Sequence, residues 1–398
     1  HQDWESSLPL FLEFVQESDY DGLIIEAEKH IKSILLNEIT SSLGDFDDRN
    51  EKFRQALVVL AELTAPYRSD PAFQRYMPFV LFEEATLYGL LGEPELKAAL
   101  YEQINTEFSE FAEDEMYFEV FNPIAYYFAK AEAEAYVEAG EWQAAIDAYL
   151  EIIKDSQEST ENSVRISESE TSIENIIWEK IRSFYGVDSE GLAAQLLAFE
   201  VIHEYYRADP AFARFRLFVE YEIASLKGDL GDREQELSEL LAIYGILYDD
   251  EGLLNDEFYQ LLSSRLLTRL ANLSLAAEEY EDALDYVDLY ILNHGSGCGT
   301  QSLRGEIYYQ WSVAEGNDAD LFWLAIGAYQ LAVTEECQRT NACLTAQFQY
   351  RLGEIYELLG EDYIEEARSS YEEIVNDEDY QRCSSDVQRA EEALAALD

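Results

Sequence analysis

The stretch from Tyr67 to Glu95, YRSDPAFQRYMPFVLFEEATLYGLLGEPE, returns at Tyr206 to Glu234 as YRADPAFARFRLFVEYEIASLKGDLGDRE. The offset is a constant 139 residues, from Asp70 to Asp209 and again from Gly92 to Gly231. Sixteen of the 29 aligned positions are identical, where ordinary residue usage gives about two by chance. A chain copied in this way is constrained to fold as similar units, each able to pack against neighbours.

The copied segment reads as helix. Asp70 and Asp209 stand where helix N-caps belong, with Pro71 and Pro210 at the first helical position, where a missing N–H costs nothing. Phe73, Tyr76, Val80, Leu87 and Leu91 then recur at helical spacing. Gly92 and Gly231 close the helix, as glycine does where a left-handed residue is needed. Residues 55–67 and 195–206 supply a preceding helix, so each copy carries antiparallel helix pairs. Only 7 prolines and 19 glycines interrupt 398 residues, too few for a β-sandwich of this length and suited to an all-α chain. Two breaks stand out. Residues 154–175, KDSQESTENSVRISESETSIEN, read as an exposed loop or linker, and residues 293–299, NHGSGCG, as a non-helical turn. They divide the chain into a first helical unit, 1–154, its copy, 155–297, and a C-terminal region, 298–398.

Charge narrows the partners. There are 83 acidic and 26 basic residues, a formal charge of −57, and no lysine follows Lys227. Such a polyanion repels phosphate backbones and anionic lipid headgroups, so nucleic acid is not expected as a partner. No run of 18 uncharged apolar residues occurs, so no membrane insertion is expected. The acidity leaves a basic partner, bound cations, or simple solubility in salty surroundings. As a calcium loop, residues 45–50 (DFDDRN) lack the central Gly and terminal Glu, and residues 317–320 (NDAD) are shorter still. No cofactor is expected beyond adventitious Ca²⁺.

Catalytic patterns are thin. His1, His30, His203 and His294 lie far apart in sequence, so no zinc or imidazole constellation is visible. The GSGCG run of residues 295–299 lacks the lysine and helix signature of a phosphate loop. Paired carboxylates of a glycoside hydrolase are an alternative, since 83 acidic residues make pairs inevitable. Short connections argue against an enzyme, because active sites usually sit on longer loops. Trp142 and Trp323 occupy hairpin packing positions and read as core rather than as sugar subsites. The sequon at Asn272 falls inside a helical pattern and reads as unused.

A spacing of small and aromatic residues points to a family. Ala133, Tyr136, Gly140, Trp142, Ala145 and Tyr149 lie in AEAEAYVEAGEWQAAIDAYLEII. The second copy offers Ala271, Glu278, Tyr280 and Ala283, with Ser274 in place of the first aromatic. Gly353, Tyr356, Gly360, Ala367 and Tyr371 repeat the pattern, and Gly305, Tyr308, Ala325 and Tyr329 do so more loosely. These hairpins, covering about half the chain, resemble the tetratricopeptide repeat (TPR) family. The resemblance implies a right-handed superhelical solenoid of antiparallel hairpins whose concave surface binds peptides or proteins. It therefore implies a non-catalytic scaffold. On that surface the first hairpin would present Tyr127, Lys130, Glu134 and Glu138, and the last Tyr350, Glu354 and Glu357. The Lys/Arg/Asn clamp by which some family members hold acidic tails is missing there, so a basic or aromatic-accepting partner is expected. A periplasmic or cell-surface module that binds glycans or proteins is a further alternative.

In such a solenoid, neighbouring turns stack about one helix diameter apart. Cys298, Cys337, Cys343 and Cys383 each fall near a turn, which pairs Cys298 with Cys337 and Cys343 with Cys383, or else Cys337 with Cys343. Disulfides point to an exported protein, extracellular, on the cell surface or periplasmic. A start at His1 without Met suits a processed chain or a trimmed one. The cytoplasm of a salt-adapted organism is the alternative location. Residues 385–398 read as a capping helix. At the other end Leu8, Phe11, Leu12, Phe14 and Val15 form an apolar cluster that either caps its own unit or docks into another copy, giving an oligomer or filament.

Overall fold

The computed structural model describes residues 4–18, 20–43, 48–157 and 163–397, and among them no strand occurs. Two compact units divide the chain, His1–Glu170 and Thr171–Asp398. The first contains α1 (Trp4–Glu17), α2 (Asp21–Ser33), α3 (Ile39–Ser42), α4 (Arg49–Thr64), α5 (Met77–Leu90), α6 (Pro94–Glu107), α7 (Phe118–Ala139) and α8 (Trp142–Ser156). The division falls inside α9 (Ser163–Asn175). The second unit continues with α10 (Ile181–Tyr185), α11 (Ser189–Tyr205), α12 (Arg216–Asp229), α13 (Arg233–Asp249), α14 (Glu251–Asn255), α15 (Glu257–Ala276) and α16 (Tyr280–His294). It closes with α17 (Cys298–Ala314), α18 (Ala319–Ala332), α19 (Glu335–Thr340), α20 (Ala342–Leu359), α21 (Ile364–Asn376) and α22 (Ser384–Leu397).

Helices pack mainly on their chain neighbours: α5 on α6, α7 on α8, α12 on α13, α15 on α16, α17 on α18, and α20 on α21. The small residues of the repeat pattern explain this closeness. Ala133, Ala145, Ala271, Ala283, Ala325 and Ala367 retain no exposed surface, so paired helices meet without an intervening side chain. At Gly305 even a methyl group would stand 2.9 Å from the Tyr329 ring, and Gly353 gives the same room to Tyr371. Gly140 turns α7 into α8 with φ +73°, a conformation that costs glycine no Cβ clash.

Several expectations change. Residues 163–175 are not loop: they form α9, whose buried Ser169 and Ile173 and half-buried Ile166 share one face. Asp70 and Asp209 cap turns rather than α-helices. Each accepts a backbone N–H two residues on, at 2.9 and 2.8 Å, and 3₁₀ turns intervene before α5 and α12 begin. The NHGSGCG stretch interrupts helix only at residues 295–297, because α16 runs through His294 and α17 begins at Cys298. Trp142 is core, but Trp323 is exposed, with edge contacts to Tyr356 and Tyr363. Residues 45–47 of the acidic run lie outside the described residues, whereas Asp48 caps α4 and Asp318 caps α18.

The cysteines pair as Cys298–Cys337 and Cys343–Cys383, with Cα atoms 5.9 and 5.2 Å apart. The first bond ties the start of α17 to α19. The second ties the start of α20 to the turn before α22, whose Ala390, Val387, Leu394 and Leu397 complete the last core cluster.

Candidate functional site

The face of α15 decides where a ligand can sit. Leu262, Leu266, Leu270 and Ala271 are fully buried, while Arg265, Thr268, Arg269 and Asn272, spaced three, one and three residues apart, form a polar stripe. A depression lies on each side of this stripe, and both include Thr268 and Asn272. One, about 500 Å³, is walled by Leu267, Tyr286, Tyr290, Leu303, Tyr329 and Phe348, with Glu306 and Arg351 among its polar groups. The other, about 400 Å³, is lined by Arg182, Tyr221, Glu222, Ser225, Asp229, Arg265 and Arg269. Asn272 donates its amide to the Thr268 carbonyl at 2.7 Å within the same helix. Together they form one groove in the second unit, aromatic at one end and ionic at the other.

The aromatic end is braced by hydrogen bonds and ion pairs. Glu306 accepts hydrogen bonds from the Tyr329 hydroxyl at 2.6 Å and from Gln310 at 2.9 Å, and pairs with Arg351 Nε at 3.3 Å. Arg351 also reaches Glu354 at 2.6 Å and lies 4.4 Å over the Tyr309 ring. Burial works against the Arg351 charge, but Glu306 and Glu354 outweigh it and raise its pKa. Tyr329 is pushed up by burial and by Glu306, so it stays a hydrogen-bond donor.

The ionic end holds three arginines. Arg269 bridges Asp229 at 2.7 Å and buried Glu236 at 2.5 Å, with Gly228 leaving the space that the Glu236 carboxylate fills. Arg265 stacks 4.2 Å over the Trp178 ring and stands 3.9 Å from Glu222. Burial pushes the Glu222 carboxyl up to about 7, against the pull of Arg182 and Arg265.

The residues expected from the sequence to face a partner are mostly engaged within the fold. Tyr127 packs edge-on against Tyr101 at 5.2 Å beneath the Lys97 ammonium, and Lys130 pairs with Glu168 of α9 at 2.9 Å. Glu134 and Glu138 are exposed. Tyr350 lies under Arg389 at 4.0 Å, Glu354 holds Arg351, and Glu357 accepts the Tyr371 hydroxyl at 2.5 Å. Leu8 and Leu12 are buried in the first unit's core with Phe11 and Val15 packed against them, and only Phe14 of that cluster is exposed. His30 stacks on Phe11, His203 meets Glu220 and His294 meets Ser263, each separately. Among the described residues no group of His, Cys, Asp or Glu is placed to hold a metal ion, and no helix is long and apolar enough to cross a membrane. Sequence reading missed the groove. Its one signal was the polar stripe on α15, which looks like any solvated helix face. No family model matches the chain, and no curated protein matches it in sequence.

Proposed function

We propose that this chain is a non-catalytic scaffold of TPR-like hairpins that holds a segment of another protein in the groove along α15. The observation that carries this reading is the groove itself: an aromatic wall of Tyr286, Tyr290 and Phe348 facing the hydrogen-bonding stripe of Thr268 and Asn272. Preformed concave sites of this kind, mostly apolar with a few placed polar groups, are what peptide and ligand sites look like. Descent by duplication is supported by local structure as well as identity. The 3₁₀ turns Gln74–Tyr76 and Ala213–Phe215, and then α5 and α12, begin and end 139 residues apart. In each copy a later tyrosine returns to the turn, Tyr117 to the Arg75 carbonyl at 2.8 Å and Tyr259 to that of Arg214 at 3.1 Å. A right-handed superhelix follows from the resemblance. Export is supported by the two disulfides.

Two other readings have less behind them. Self-assembly through the N-terminal cluster would use residues already packed in their own unit. A hydrolase would need a carboxylate pair free to act, and Glu306 is saturated by Tyr329, Gln310 and Arg351.

The test is binding of the intact chain to a library of short fluorescent peptides. Peptides selected by the wild type should lose at least about tenfold in affinity on Tyr286→Ala with Tyr290→Ala, as aromatic anchors at hot spots do. Trp323→Ala, elsewhere on the unit, should bind as wild type. If no library peptide binds, or if the double tyrosine variant binds unchanged with its helicity intact, the reading is wrong.

A further inference from the structure

We infer that the ionic end of this groove takes a carboxylate of the docked segment, gripped between Arg182 and Arg265 with the Ser225 hydroxyl as a further donor. The inference rests on the reading of the groove as a segment-binding site and names what its polar end selects.

Acid outnumbers base throughout this chain, 83 residues to 26, so a cation has carboxylates in easy reach. Lys227 pairs with Glu239 at 2.6 Å, Arg304 with Asp288 at 2.5 Å, Arg351 with Glu354 at 2.6 Å, and Arg269 with Asp229 at 2.7 Å. Among the described residues Arg182 forms no close ion pair, and it acts at longer range on Glu222. Among the described residues Arg265 pairs with Glu222 at a long 3.9 Å and stacks on the Trp178 face at 4.2 Å, which leaves guanidinium donors available to a ligand.

A second observation is independent of charge. Ser225 lines the same depression at 8% exposure, and its Oγ makes no hydrogen bond of good geometry, although the Tyr221 hydroxyl lies near it. A buried hydroxyl left without a well-formed hydrogen bond is costly in a folded protein, and a bound acceptor here would relieve that cost. Its neighbourhood suits an anion, and a singly charged one. Arg182, Arg265 and Arg269 bring three positive charges, while Asp229 and Glu236, both held by Arg269, bring two negative ones. Glu222, faced by Arg182, Arg265, Arg269 and Asp229, is pushed up to about 7 by burial, so near neutrality it cancels only part of the remaining charge. A dianionic phosphate would exceed that surplus and meet Asp229. A carboxylate matches it and suits the bidentate fork of arginine. Through Thr268 and Asn272 this end is continuous with the aromatic end, so the carboxylate belongs to a segment lying along α15 rather than to a free ion.

The experiment uses the intact chain and the tightest peptide from the library selection, with each carboxylate of the peptide replaced in turn by its amide. One replacement should weaken binding about tenfold. In Arg265→Gln and in Arg182→Gln that replacement should make no further difference, and the acid peptide should bind each variant as weakly as the amide binds wild type. Arg182 is exposed, so its variant keeps the fold. Quenching or enhancement of Trp178 fluorescence, absent in Trp178→Phe, should accompany binding of the acid peptide only. If every amide peptide binds wild type like its parent, the carboxylate inference fails while the groove reading survives. If inorganic phosphate displaces the peptide more strongly than acetate at equal concentration, the assignment to a carboxylate is overturned. If no peptide binds, both fall.

Discussion

Glu83 and Glu222 sit at equivalent positions of the repeated stretch, and both are buried, at 8% and 4% exposure. The Thr40 hydroxyl donates to Glu83 at 3.0 Å, while Glu222 has Arg265 at 3.9 Å. Neither contact makes up for lost water, and burial pushes both carboxyls up to about 7. Each folded-state value thus lies above the unfolded one. The linked stability is fully present below the ordinary glutamate range and is lost as pH rises through about 7. Above that the burden is about 3 kcal/mol per group. Glu83→Gln and Glu222→Gln should each therefore raise the melting temperature at pH 8 and leave it unchanged at pH 4.5, read by circular dichroism. Equal shifts at both pH values would contradict this origin. At this scale the sequence was legible where a residue serves packing: the alanines, Gly305 and Gly353 lie at close helix contacts, and the cysteines pair as expected, though Cys337 sits inside α19 rather than at a turn. It was not legible where a residue serves the groove. Arg265 and Arg269 on a helix look like solvated surface until Trp178 and Glu236 are seen against them.

Among elements, α9 shows why composition misleads. Its Ser, Glu and Thr content argues for a loop, yet Ile166, Ser169 and Ile173 keep a helical period, and buried Ile176 and Ile177 extend it into the following turn. Misreading α9 also hid the partner of Lys130, since Glu168 lies on it. The last elements are a better-read case. Helix α22 is tied to α20 by Cys343–Cys383, across 40 residues, by Arg389 over the Tyr350 ring and by a modest apolar face. A loop of that size contributes roughly 2–5 kcal/mol when cross-linked. Cys343→Ser with Cys383→Ser should lower the melting temperature and let limited proteolysis cut first between residues 376 and 384, while wild type resists until reduced. Identical cleavage patterns with and without reductant would show that the bond bears no load there.

For the whole molecule, a formal charge of −57 is expected to repel other polyanions and does not choose a partner. The all-helical class and neighbour-paired helices were readable because periodicity and turn glycines are local. The groove was not, because it depends on helices far apart in sequence, Arg182 and Arg351 at its extremes. The account stands or falls on that groove being the binding surface. Hydrogen exchange of the intact chain, read by mass spectrometry with and without the selected acid peptide, tests it most directly. Slowed exchange confined to fragments of α10, α12, α15, α16, α17, α18 and α20 is the predicted result. Slowed exchange confined to the first unit, or none anywhere under saturating peptide, would contradict it.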